Sequence, residues 1–477
     1  MSEPHIDLPL PTTHSPDSTM KDSQSIHGIP TTHPSQWPSY QRHLCLFLLS
    51  FNGLMIGFQS TIIVPGLSLI GREFSVSTQT ASYAASVNVL FLGLGPLLWI
   101  PFADRFGNRT SFISAIVVAL AGNLGAGFSS SYAGLMVGRV VQGAGISAGG
   151  VFGSGVVVDL FQPESRGRKL NLWNVAVTCG PALGALVGGF LVGAKGWRWG
   201  LYLNAIVNGA QLLGYVVAFP ETKWVARRGN VERKHRMGLF GDWRTGSAGA
   251  WKWAEWALFI QSPVVLLMMS VFALSFGIIS VGLSITLPEI FGPVYGFGER
   301  QIGLVFISYL VGAVLGGQVG GRMSDIWMSR YKKRCQEMGT QLRYEYRLWV
   351  ILPGYFLLIT GLVVYGVTLE DSTHWSGPVI AWGVSIFGLQ IVLNVVITYC
   401  IECFPHHALA VTAFLNLGRQ IIGFTAGFWI PPLVEDLGYG LGFGVMAIMC
   451  FFFFALSLAV LYRGERIRHR FPVRGLS

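Results

Sequence analysis

The chain has 477 residues, of which 52% are hydrophobic and only 12% are charged, with a net charge of +10 at pH 7. Soluble domains carry roughly 25% charged residues, so this composition excludes an ordinary soluble protein, which could not cover its surface. The mean hydropathy of +0.52 leads to the same conclusion. Glycine, with 61 residues, favours close helix packing in lipid, and we expect an all-α membrane protein.

Residues 1–40 are rich in Ser, Thr, Pro and His and show no apolar periodicity. Such a composition predicts a disordered tail. No apolar segment follows a basic start, as a secretory signal requires, and Ser at position 2 excludes N-myristoylation.

Long stretches without charged residues recur through the rest of the chain, and a membrane-spanning helix needs about 20 apolar residues. The stretches free of Asp, Glu, Lys and Arg are 43–71, 74–103, 110–138, 140–158, 170–194, 199–220, 256–288, 301–321, 348–369, 372–401 and 437–462. A further stretch, 403–434, is interrupted only by Arg419, and we expect the fourth span to begin near Leu135 and to include Arg139. The sequence therefore predicts twelve transmembrane helices.

A basic segment at 221–255 lies between the sixth and seventh predicted spans. The spans before and after it form two six-helix halves, at 41–220 and 256–462, and the segment is a linker between them. Residues 463–477 follow as a C-terminal tail.

The orientation follows from the positive charges in the loops. Of the 33 Lys and Arg residues, only Arg72, Lys195, Arg198 and Arg300 lie in loops that follow odd-numbered spans. Loops rich in Lys and Arg remain in the cytoplasm, so both termini and the linker are expected there. Because topology accounts for the positive charge, nucleic acid is disfavoured as a partner.

The loop after the second span contains a charged motif: Ala103, Asp104, Arg105, Gly107 and Arg109. It resembles the signature G-x-L-A-D-R-x-G-R-K of the major facilitator superfamily, with departures at Ile100 and Asn108. Gly321 and Asp325 repeat part of it after the eighth span, where Ile326 replaces the arginine. The resemblance implies a cytoplasmic gating loop that latches the two halves together through these side chains.

The fourth span contains Arg139 and Gln142 within a pattern similar to a second signature of that family, L-x-x-x-R-x-x-Q-G-x-G. Two residues three apart share one helix face, and a charge within a span usually faces the bundle interior. The resemblance implies a role in proton coupling or substrate contact. The alternative is an arginine near the interface whose side chain extends to water.

The fifth span contains Gly180, Pro181 and Gly184, which resemble the antiporter signature G-x-x-x-G-P-x-x-G-G, with departures at Ala176 and Ala185. Within the family this motif accompanies exporters of drugs and metabolites. The sequence of residues 196–204 is also similar to that of the fungal drug:proton antiporter-like branch, whose members have twelve spans. This resemblance implies a proton gradient as the energy source, with no cofactor.

Further candidates are the polar side chains within the spans. Arg419 interrupts the eleventh span, and its nearest plausible partner in sequence is Glu402, at the end of the tenth. His406 and His407 are interpreted as solvated loop residues. The uncharged candidates are Asn52, Gln59, Asn88, Gln142, Tyr309, Gln390, Asn394 and Asn416.

The sequence thus predicts a secondary active transporter that exports a small organic compound (a drug, toxin or secondary metabolite) by alternating access. We expect a monomer in the plasma membrane. The alternatives are an uptake permease for a small cation or polyamine, which would need intramembrane carboxylates or aromatic cages, and a non-transporting sensor, which would need a longer tail.

Three other classes are disfavoured by missing motifs. An ATP-driven pump would need a G-x-x-x-x-G-K-[ST] sequence, and a membrane-embedded enzyme would need clustered His or acidic residues within the spans. Cys400 and Cys403 form a C-x-x-C, but helical spacing explains them as thiols that face lipid or the core, so a zinc site is disfavoured.

Overall fold

In a computed structural model, the chain is described at residue 34 and over residues 37–222, 259–340, 342–404 and 407–470. The part before residue 222 is called the first half of the chain, and the part after residue 259 the second half. Nearly all of the predicted tail at 1–40 and linker at 221–255, His406 and residues 471–477 lie outside the described residues. The predictions for these segments stay predictions.

The first half consists of helices joined by short turns. A single 3-10 turn, Val64–Gly66, joins the first two of them. The helices are α1 (Ser39–Thr61), α2 (Leu67–Phe74), α3 (Thr78–Phe106), α4 (Asn108–Gly127), α5 (Tyr132–Ile146), α6 (Ala148–Leu160), α7 (Pro163–Lys195) and α8 (Arg198–Ala218).

The second half is also helical. A π-helical turn, Gly277–Gly282, joins its first two helices, and a 3-10 helix, Tyr344–Val350, precedes its fourth. The helices are α9 (Pro263–Phe276), α10 (Leu283–Tyr295), α11 (Glu299–Met338), α12 (Ile351–Glu370), α13 (Ser376–Cys403) and α14 (Ala408–Arg470).

Within the described residues, 11 helical segments are long and apolar enough to cross a membrane. The prediction of an all-α membrane protein is confirmed, but the predicted count of twelve is not reached. The difference lies in the last segment, Ala410–Arg468, which has 59 residues and includes both final predicted spans. Gly438, with φ 78° and ψ 173°, is a non-helical residue inside it.

Local signals in the sequence set several helix ends. The Ser77 hydroxyl accepts a hydrogen bond from the Thr80 N–H over 3.0 Å at the start of α3, and Ser131 does the same for Gly134 over 3.1 Å at the start of α5. Gly107 follows α3 with φ 91°, a conformation that favours glycine. The end of the bundle with Asp104 and Asp325 is called the Asp104 end, and the opposite end the Trp197 end.

The two halves meet where α7 packs on α11 and where α3 packs on α14. On the first contact, a Cβ added to Gly189 would lie 2.8 Å from the Gly303 Cα atom. On the second, the rings of Tyr83 and Phe428 stack with their centroids 4.5 Å apart. Both close approaches lie toward the Trp197 end, and small or aromatic side chains make them.

Candidate functional site

Arg139, a residue of α5, is fully buried and its side chain lies against the end of α1. Its guanidinium donates to the carbonyl oxygens of Gln59 over 3.1 Å, Ser60 over 2.8 Å and Ala84 over 3.0 Å. Gln59 and Ser60 belong to the last turn of α1, whose carbonyls lack partners within the helix and favour a nearby positive charge. The side chain has no exposed surface, so the structure excludes the alternative of an arginine that extends to water.

A chain of buried amides continues from Arg139. Gln142 accepts from the guanidinium and donates to Asn123 over 2.8 Å, and Asn123 donates to the Gln59 side chain over 3.0 Å. Gln59 then donates to Asn208 over 2.6 Å. This Arg139 cluster ties α1, α4, α5 and α8 together. The sequence reasoning missed Asn123 and Asn208, although each is an amide inside a long uncharged stretch and was visible for that reason.

Arg419 lies eleven residues into α14, against α9. Its guanidinium carbon is 4.4 Å from the centroid of the Phe276 ring and 5.7 Å from that of Phe272. Nη2 donates to the Asn416 side-chain oxygen over 2.6 Å, whereas the buried Nε has no acceptor. Cation–π contacts of this kind stabilise a charge without neutralising it.

Glu402 is engaged by Arg347, and the predicted pairing with Arg419 is wrong. Arg347 Nε and Nη2 donate to the two carboxylate oxygens over 2.9 and 2.7 Å, and Nη1 donates to Ser324 over 2.6 Å. Glu402 lies in the last turn of α13 at the Asp104 end. Arg419 is eleven residues into the next helix, a rise of about 17 Å.

The first copy of the charged motif is anchored within its own half. The Arg109 side chain is buried and donates to the Val216 carbonyl over 2.6 Å. The carboxylate of Glu221, just beyond α8, accepts the backbone N–H groups of Asn108 and Arg109 over 2.9 and 3.1 Å. A carboxylate is stabilising at the N-terminus of a helix, here α4.

The remaining motif residues lie at the surface of the Asp104 end. Asp104 and Arg105 are exposed, and Gly107 provides the turn between α3 and α4. Asp325 is 80% exposed and lies 3.4 Å from Arg347. The contacts of Arg109 and Asp325 therefore join helices within one half, whereas the resemblance implies a latch between the halves. Their partners Val216 and Arg347, and Glu221 at the start of α4, belong to the same half as the motif copy that they contact.

The antiporter motif packs α7 against α1. Gly57 lies against the Pro181 ring, and a Cβ added to Gly184 would lie 2.6 Å from the Phe58 Cα atom. The Thr61 hydroxyl donates to the Pro181 carbonyl over 2.7 Å. Gly180, Pro181 and Gly184 thus lie inside the first half, and their small size lets two helix backbones approach.

Three of the other polar candidates bond to neighbouring elements. Asn88 donates to the Arg139 carbonyl over 3.1 Å, Asn394 donates to that of Gly317 over 3.2 Å, and the Tyr309 and Ser280 hydroxyls lie 3.0 Å apart. Glu289 was missed because the uncharged stretch ends one residue before it. Helix α10 continues past it to Tyr295, so this half-buried carboxylate lies within a candidate span.

The sequence profile of the Major Facilitator Superfamily matches residues 49–427. Similar proteins include the MFS-type transporter atr4 of Stereocaulon alpinum, 27% identical over 92% of this chain and 80% of that protein. The efflux pump radE of Floropilus chiversii is 26% identical over 93% of this chain and 84% of its own length.

Solved structures share the fold. A POT family transporter in complex with 5-aminolevulinic acid has a TM-score of 0.67 at 14% identity, over 92% of this chain and 99% of that one. A D-xylose–proton symporter has a TM-score of 0.63 at 13% identity, over 88% and 96% of the two chains. The chain therefore belongs to the major facilitator superfamily, and it is a transporter rather than an enzyme.

Proposed function

We propose that the protein exports a small organic compound through a central site between its two halves, in exchange for protons. The observation that carries the proposal is that each half is tied together internally by buried polar contacts, while the halves meet mainly through small and aromatic side chains, with one long hydrogen bond of 3.4 Å from Gln318 to Asn171. The Arg139 cluster and Glu221 hold the helices of the first half together. The ion pair of Arg347 with Glu402 does the same in the second half. Two internally bonded halves with few polar contacts between them support alternating access by rocking of one half against the other.

We further propose twelve spans in two six-helix halves, with the 63-residue α14 comprising the last two. Gly438 (φ 78°, ψ 173°) and Gly196 (φ 89°, ψ 165°) share one backbone conformation, and Gly196 separates the fifth and sixth spans. Glu370, at the end of α12, accepts the Gly440 N–H over 3.1 Å just beyond the break. A turn at Gly438 gives two parts of about 30 residues, each long enough to span a bilayer.

The proposed location is the plasma membrane, with both termini and the Asp104 end in the cytoplasm. The six cysteines are all buried or half-buried, so labelling of an engineered, exposed cysteine can be told apart from labelling of the native ones. In intact cells, an impermeant maleimide is expected to label D371C, at the exposed end of α12, but to label R105C only after permeabilisation. The opposite pattern contradicts the proposed orientation.

The direction of transport is tested in the producing organism. Deletion of the gene is expected to raise the cellular level of the exported compound and to lower its level in the medium, as measured by metabolite profiling. An importer gives the reverse. The compound identified in this way is then loaded into proteoliposomes, where an imposed pH gradient is expected to accelerate its movement. Equal rates with and without the gradient contradict proton coupling.

An uptake permease for a cation or polyamine fits the site less well. The two charges placed well inside the described spans, Arg139 and Arg419, are both positive. A cation held within the membrane requires carboxylates or an aromatic cage. The half-buried carboxylate in α10, Glu289, lies toward the Trp197 end of that helix.

A further inference from the structure

The guanidinium of Arg419 has unused hydrogen-bonding capacity. Within the described residues, its one hydrogen bond is from Nη2 to Asn416, Nε is buried without an acceptor, and no carboxylate lies within 4.0 Å. The residue is only partly buried, so the guanidinium remains accessible on one side. A charge inside a span normally has a partner, because an unpaired one is costly in a low-dielectric environment.

Arg139 shows what a satisfied arginine looks like in the same bundle. All three of its guanidinium nitrogens donate, to the carbonyls of Gln59, Ser60 and Ala84 and to Gln142. It has no exposed surface. The two residues have the same chemistry, so the difference comes from their surroundings. Arg139 closes a helix end, whereas Arg419 has N–H groups without an acceptor among the described residues.

Among the residues that the structure describes, no carboxylate is placed to pair with Arg419. Glu402 is held by both oxygens on Arg347. Glu435 and Asp436 lie 16 and 17 residues further along α14, a rise of about 24 to 25 Å, and Glu289 lies 13 residues beyond Phe276, about 20 Å along α9 and α10. In the facing half, the stretches 43–71 and 74–103 contain no Asp or Glu at all. These two stretches of the facing half therefore offer no counter-charge to Arg419.

The surroundings of Arg419 also indicate what accompanies the counter-charge. Phe272 and Phe276 are four residues apart on one face of α9, and Phe276 is only partly buried beside the guanidinium. Gln420, the residue that follows Arg419, packs against α3. Its Cβ atom lies 2.7 Å from the position of a Cβ added to Gly93. Arg419 is thus next to the contact between the halves, with an aromatic face beside its free N–H groups.

We propose that Arg419 binds the anionic group of the transported substrate and that Phe276 contacts the apolar part next to that group. The substrate class is an organic anion, such as a carboxylic acid or an acidic phenol with an aromatic or similarly flat body. This inference rests on the proposed transport function, because it names the substrate class of the same central site. A guanidinium offers a carboxylate two parallel hydrogen bonds, which gives orientation as well as affinity.

The test compares three probes with one ring system and different charges: 1-naphthoate, 1-naphthamide and 1-naphthylmethylammonium. Binding to the purified full-length protein is measured by titration and by the shift of its thermal unfolding temperature. Wild-type protein is expected to bind 1-naphthoate at least tenfold more tightly than the other two. In R419Q, this preference for 1-naphthoate is expected to fall at least tenfold. R419K is expected to keep part of the preference, and the exposed control R466Q is expected to keep all of it.

Two results overturn the proposal: equal binding of the three probes by the wild-type protein, or unchanged binding of 1-naphthoate by R419Q. If R419Q does not fold, F276L serves instead, and it is expected to weaken 1-naphthoate binding while R466Q does not. Competition by chloride at equal concentration also overturns it, since it assigns the site to an inorganic anion.

Counterflow of the same probes in proteoliposomes separates this inference from the proposed function. Anion-selective binding without any transport leaves the Arg419 site standing and contradicts the transport proposal. Transport of the amide or the ammonium probe without selectivity for the anion supports transport and overturns the substrate class.

Discussion

Arg347 and Glu402 form a two-point ion pair, in which Nε and Nη2 donate to the two carboxylate oxygens over 2.9 and 2.7 Å. The pair joins the 3-10 helix that precedes α12 to the end of α13 at the Asp104 end. The Arg347 side chain is 5% exposed and that of Glu402 is 22% exposed. Since both groups are largely removed from water, removal of either partner leaves the other buried without its two-point contact.

We expect E402Q to lower the free energy of unfolding by about 2 kcal/mol, because it leaves the Arg347 guanidinium buried with a weaker partner. The matched control is E465Q, which breaks an ion pair between Arg343 and Glu465 that is 66% and 35% exposed. That change is expected to cost less than about 1 kcal/mol. Thermal unfolding in detergent measures both, and equal losses contradict the assignment of Arg347–Glu402 as a buried pair.

For Arg139, we expect R139K to lower the free energy of unfolding by about 3 kcal/mol. A lysine cannot reach the carbonyls of Gln59, Ser60 and Ala84 together in the fork geometry of a guanidinium. The control is R72Q, because Arg72 is an exposed residue at the end of α2. If R139K leaves the free energy of unfolding unchanged in the same measurement, the carbonyl contacts are not needed for stability.

The close packing of α7 on α1 leads to a prediction for glycine replacements. G184A is expected to destabilise the protein by about 1–3 kcal/mol, since the added methyl group would lie 2.6 Å from the Phe58 Cα atom and the backbones must separate. G209A, in α8, has no atom within 4 Å of the added group and is expected to be neutral or slightly stabilising. If the two variants unfold at the same temperature, the packing assignment fails.

Glu221 is expected to stabilise the start of α4 as a helix cap. E221A removes the acceptor for two backbone N–H groups and should cost about 1–2 kcal/mol, whereas E221Q keeps one oxygen acceptor and should cost less. Hydrogen exchange of the Asn108 and Arg109 amides offers a local readout, with faster exchange expected in E221A. Unchanged exchange at these two amides, together with unchanged stability, contradicts the capping role.

Sequence patterns located most of the important side chains but not their partners. Arg139 stood out as a charge in an uncharged stretch, yet its acceptors Gln59, Ser60 and Ala84 lie 55 to 80 residues away in the chain. The predicted pairing of Arg419 with Glu402 is wrong because one helix ends and another begins between them, so two residues that are near in sequence lie far apart in space. Arg347, the true partner of Glu402, is 55 residues away.

The sequence by itself determined that the chain is all-α and embedded in a membrane, because apolar stretches of this length have no other stable environment and the bilayer forces backbone groups to bond within helices. It also identified the family through local motifs. Only the tertiary structure decided which arginine is satisfied and which is not. That depends on how each helix is rotated and on which neighbours it meets, and in lipid these are set by the packing of small residues such as Gly184 and Gly189.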